Sequence, residues 1–122
     1  MRADGGDRRV DGVADVATDP NAFIYDRTIG LDAAGTSTFV ETVVKSLDGT
    51  GVASTLKHFP GYGNNRDSHV EIVRDTRTIE ELRTNDFLPF EAGIKAGADS
   101  VLVSHNIVTS IDDTQPASLS PK

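Results

Sequence analysis

A chain of 122 residues with 37% hydrophobic and 25% charged content fits one globular domain with a core of its own. Its net charge of −7 argues against a nucleic-acid surface, which needs clustered Lys and Arg, and no apolar run approaches the ~20 residues that cross a membrane. The absence of cysteine removes disulfides and thiolate metal sites; with a polar start that lacks a secretory leader, it points to a cytoplasmic protein.

Residues 1–12 (MRADGGDRRVDG) are charged, glycine-rich and without periodicity. They read as a disordered or non-native tail before a domain over residues 13–122. Residues 13–16 form a short candidate strand, followed by a turn at Asp19 and Pro20 and a loop holding the isolated Arg27. Over residues 33–47, Phe39, Val40, Val43, Val44 and Leu47 follow the spacing of an amphipathic helix. Residues 48–51 (DGTG) end it. Residues 52–56 suit a buried strand, and a loop runs from Lys57 to about residue 76. Thr78 and Glu81 form a capping box for a helix that turns Ile79 and Leu82 inward. Pro89 suits the first turn of a second helix, with Phe90 and Ile94 on one side and Gly97 as its stop. Residues 101–103 form a third buried strand, and residues 109–122 a loop-like tail.

Strands alternating with helices, and strands that are continuously apolar, imply an α/β fold with a parallel sheet. Ligands gather at the carboxyl ends of such strands. Here those ends are Asp15, Lys57-His58 and His105-Asn106, all polar.

The stretch from Lys57 to His69 (KHFPGYGNNRDSH) concentrates the chemistry. Asp67-Ser68-His69 can work as a proton-transfer pair, because a carboxylate on one ring nitrogen fixes the imidazole tautomer; a solvated loop in which the two never meet is the plainer alternative. Lys57 can donate to hydroxyls or an anion. His58 is either a satisfied core histidine or a donor to ligand. Arg27, His105 and Asp15 are weaker candidates: Arg27 as a solvated charge, Asp15 and His105 as caps of nearby backbone. A zinc site built from His58, Asp67, His69 and His105 lacks any tight ligand spacing. Ser68 and Ser104 lack the G-x-S-x-G elbow of a nucleophilic triad.

These residues resemble a known signature. KHFPGYG followed by DSH is similar to that of glycoside hydrolase family 3, in its β-N-acetylhexosaminidase branch. The likeness extends over residues 13–122: Asp15-Val16 through Asp19-Pro20 to Asp26-Arg27-Thr28-Ile29-Gly30, then Asp86-Phe87-Leu88-Pro89-Phe90, Ala96-Gly97-Ala98-Asp99, Val103-Ser104-His105, and Pro116-Ala117-Ser118-Leu119-Ser120. The family usually has His at the position of Tyr62, and its loop before Asp-x-His is one residue longer.

The resemblance implies a βαβαβ segment of a (β/α)₈ TIM-type barrel. It implies a retaining glycosidase that hydrolyses O-glycosyl bonds of N-acetylglucosamine-containing glycans without metal or cofactor. His69 would be the general acid/base and Asp67 its partner; Lys57, His58 and Arg27 would hold sugar hydroxyls. His105 matches a family position with no assigned role. The nucleophilic Asp of the family lies in a Ser-Asp motif that these 122 residues do not contain, so the chain alone is expected to be inactive. A non-catalytic, sugar-binding or self-associating remnant, pairing through open barrel edges, is the alternative.

Overall fold

The computed structural model describes residues 9–65 and 73–122. Three strands, β1 (Arg9–Val13), β2 (Ala53–Phe59) and β4 (Ser100–Val103), form a parallel sheet in the order β1-β2-β4. A second parallel pair joins β3 (Arg74–Asp75) to β5 (Ile107–Val108). The α/β class with parallel strands is as expected, but β1 begins earlier. Its register with β2 runs from Arg9↔Ala53 to Val13↔Lys57, so residues 9–12 are structured and the expected tail boundary is wrong. Charged and glycine-rich composition suggested disorder; pairing on one side only, at the sheet edge, lets such a segment be a strand. Residues 14–17 are buried beyond the strand's end rather than inside it.

The helix α1 (Ala33–Leu47) has the expected bounds. Asp32 caps it by accepting from the Gly35 N–H at 2.9 Å, leaving one fewer orphan donor in the first turn. Its buried face is Ala33, Thr36, Val40 and Val44, whereas Phe39 is exposed. The other helical run is continuous rather than two helices. It comprises α2 (Ile79–Glu81), a π-helical turn (Leu82–Asp86) and α3 (Phe87–Lys95). Thr78 accepts from the Glu81 N–H at 3.1 Å, as the capping box requires. Pro89 lies inside the run, directly after the widened turn. A proline ring clashes with the carbonyl four residues back in a tight α-helix, and a π-turn opens that spacing. Phe90 and Ile94, expected on one side of the helix, differ in burial: Phe90 is buried and Ile94 exposed.

The core between the layers consists of Ala14, Val40, Val44, Leu56 and Phe90. At the contact Gly93 admits the strand closely: a Cβ there would stand 2.6 Å from Leu56 Cδ1 and 2.8 Å from Val40 Cγ1. β2, with neighbours on both sides, is mostly buried. β4 was expected to be buried too, but Val101 is 37% and Leu102 50% exposed, because β4 is an edge strand. No described helix is long and apolar enough to cross a membrane.

Candidate active site

β2 does not stop at Leu56. It continues through Lys57 and His58 to Phe59, which pairs with Val103 across an irregular register step. The Lys57–His58 and Phe59–Pro60 peptide bonds are cis. A tight turn follows, in which the Gly61 N–H donates to the His58 carbonyl at 2.7 Å.

Asp15 is the hub of this end of the sheet. It is fully buried, and a buried carboxylate is stable only when donors surround it. One oxygen accepts from the His58 backbone N–H at 3.0 Å and lies 2.8 Å from His58 Nδ1. The other accepts from the Tyr62 N–H at 2.7 Å. The tautomer that gives Nδ1–H to Asp15 carries its lone pair on Nε2, which can accept from a hydroxyl. His58 is thus packed and hydrogen-bonded, as the core-histidine reading expects. The Tyr62 ring, also buried, stands edge-on to Phe23 with centroids 4.8 Å apart and to His58 at 5.3 Å.

The remaining candidates fall in different places. Lys57 is half-buried in β2, beside Val13 and Leu102 in the ladder. His105 is exposed, its Nδ1 2.8 Å from Ser118 Oγ, which ties the strand end to the segment after Pro116. Arg27 ends a 3₁₀ turn, Tyr25–Arg27. It is exposed and borders a recess with Val13, Ile29 and Phe39; no contact among the described residues joins it to the Asp15–His58 pair. Asp67 and His69, with Ser68 between them, lie outside the described residues. Among the described residues no group of three His, Asp or Glu is placed to hold a metal ion.

The sequence reading missed a second polar cluster beside the turn. Arg77 Nε donates to Asp75 Oδ1 at 2.9 Å and Oδ2 at 3.1 Å. Its Nη1 bonds Asp86 Oδ2, and its Nη2 bonds Asp75 Oδ2 and the Gly61 carbonyl. Burial disfavours the guanidinium charge, but the Asp75 hydrogen bond and the charges of Asp86 and Asp75 outweigh it and hold its pKa above the ordinary arginine value. Burial likewise raises the Asp86 carboxyl, against the pull of Arg77. The Asp75-x-Arg77 spacing just before the capping box was the one available signal. Farther away, Asp112 is held at about 2 by hydrogen bonds from Thr114 and Ser120.

Parallel strands whose carboxyl ends gather polar, mutually anchored side chains are the plan of α/β-barrel enzymes. The comparison with known proteins gives the family. The chain belongs to glycosyl hydrolase family 3: the profile of the family's N-terminal domain matches residues 1–122. It is 39% identical over 123 residues to a beta-hexosaminidase of Stenotrophomonas maltophilia, covering 100% of this chain and 36% of that protein. It is 42% identical over 106 residues to a beta-hexosaminidase of Xanthomonas oryzae pv. oryzae, covering 86% of this chain and 31% of that one. The chain thus spans about a third of the curated relatives it matches. Among solved structures, a family 3 beta-N-acetylglucosaminidase from Paenibacillus sp. superposes with a TM-score of 0.81 at 28% identity, over 89% of this chain and 21% of that one. NagZ from Neisseria gonorrhoeae, in complex with N-trifluoroacetyl-D-glucosamine, superposes with a TM-score of 0.73 at 29% identity, over 85% of this chain and 30% of that one.

Proposed function

We propose that the chain carries the sugar-holding strand end and the proton-transfer loop of a retaining β-N-acetylhexosaminidase. The observation that supports this most is the Asp15–His58 pair at the carboxyl end of the central strand, in a chain of this family. His58 Nε2 accepts from a sugar hydroxyl, and Lys57 and Arg27 donate to others. Asp67 and His69 enter by their place in the family motif. His69, oriented by Asp67, protonates the leaving oxygen while a carboxylate attacks the anomeric carbon. It then takes a proton from the water that opens the glycosyl ester.

Such a double displacement needs that nucleophilic carboxylate. The buried carboxylates described above are engaged elsewhere: Asp15 with His58 and Tyr62, Asp75 and Asp86 with Arg77, Asp112 with Thr114 and Ser120. The 122-residue chain should therefore bind the sugar without turning it over.

Nitrophenyl N-acetyl-β-glucosaminide tests both halves. Ligand-observed NMR should show saturable binding that weakens in Lys57→Ala and is absent for the matching glucoside, with no nitrophenol released. Equal binding of the glucoside, or no binding of either, removes the sugar-holding role; nitrophenol release by the pure chain removes the division of labour. The exposed apolar side chains of β4 favour a second reading, self-association through the sheet edge.

A further inference from the structure

We infer that Arg77 is a positioning residue for His58, acting through the turn at Gly61–Tyr62 and the Asp15 carboxylate. The inference rests on His58 being the sugar-holding group of the proposed function.

The path consists of hydrogen bonds between described residues. Arg77 Nη2 donates to the Gly61 carbonyl at 2.6 Å. The next residue, Tyr62, donates its N–H to Asp15 Oδ1. Asp15 Oδ2 in turn takes both the His58 N–H and its Nδ1. The turn is moulded around the guanidinium. Gly63 has φ +57°, and a Cβ there would stand 2.5 Å from Arg77 Nη1; Gly61 has φ +111°, with the site of its Cβ 3.1 Å from Asp86 Oδ2. Only glycine tolerates both the backbone angle and the approach.

Stability is a poor reason for this cluster. Asp75 and Asp86 are almost wholly buried, and a buried ion network roughly breaks even against apolar side chains of the same volume. What a guanidinium supplies is direction. It is planar, its donors are fixed in a fork, and here the fork spans three segments: the turn after β2, β3, and the π-turn that carries Asp86. A lysine in its place would keep the charge and lose the geometry.

The test uses Arg77→Lys, with the ring ¹⁵N resonances of His58 as the readout. The chain has three histidines, so the signals are assignable, and Asp15→Asn marks the shift of a His58 without its carboxylate. The expected result is a folded variant with a cooperative melt, His58 resonances moved toward those of Asp15→Asn, and affinity for free N-acetylglucosamine reduced about tenfold. A strut that merely stabilises the fold would lower the melting temperature and leave the His58 ring signals in place; that outcome overturns the inference, as does a shifted ring with unchanged affinity. If Arg77→Lys does not fold, the isosteric Asp86→Asn releases one arm of the fork and is read the same way. If the unaltered chain binds no N-acetylglucosamine, the proposed function fails, and the His58 shift alone decides the positioning.

Discussion

Asp15 draws three donors onto a single carboxylate, two from His58 at the end of β2 and one from Tyr62 in the turn that follows. Asparagine has the same shape, but its amide would face at least one of them donor to donor. Asp15→Asn should cost about 2–3 kcal/mol, read as a lowered urea midpoint at unchanged slope; a change within error would mean that the carboxylate is dispensable. Asp112 answers to pH instead. Its folded value of about 2 lies below the ordinary 3.8, so its stabilisation is present above pH 3.8 and is lost as pH falls toward 2. Asp112→Asn should flatten the stability profile in that window and nowhere else, as acid titrations followed by circular dichroism would show. At this scale the sequence was legible where polar residues end apolar runs, which is how Asp15 and Lys57-His58 were found. Arg77 was hardly legible. Only the Asp75-x-Arg77 spacing is local; Gly61 and Asp86 lie 16 and 9 residues away, and no spacing announces contacts made by tertiary packing.

The elements divide along the same line. α1 was readable to both ends because its signals are local: apolar spacing and a glycine-rich stop. β1 was not, because a strand with two charged residues and a glycine is defined by its neighbour and not by its composition. The π-turn was invisible for a related reason: Pro89 suggested a start, whereas the helix absorbs it by widening. Gly93 belongs to this scale, since it fixes how closely α3 approaches β2. Alanine there gains ~1 kcal/mol of helix propensity, but its methyl meets the buried tips of Leu56 and Val40 under 3 Å away. Overpacking of that kind costs about 1–3 kcal/mol, so Gly93→Ala should lower stability modestly and Gly93→Val much more. A melting temperature raised by Gly93→Ala would show that the layers have slack.

For the molecule as a whole, what matters is that, among the described residues, the three-stranded sheet pairs β1 and β4 on one side only. Edge strands offer unpaired backbone groups to any strand that can reach them, and natural edges are blunted by charge, proline or cover. β4 has little of this. Val101 and Leu102 are exposed in its middle, and only Asp99 precedes it with a charge. β1 offers a parallel strand of the same sheet whose outer side pairs with no described residue, so β4 of one copy and β1 of another are suited to head-to-tail pairing, an arrangement that does not close on two subunits. Sedimentation velocity should therefore show a mass that rises with concentration. Leu102→Lys places a charge on the edge at a half-exposed position, where substitutions shift stability by only ~0.5 kcal/mol, so it should return the chain to a monomer with its melting temperature nearly intact. A chain that sediments as a monomer at every concentration would remove the self-associating reading, and the sugar-holding strand end would then have to be judged on N-acetylglucosamine binding alone.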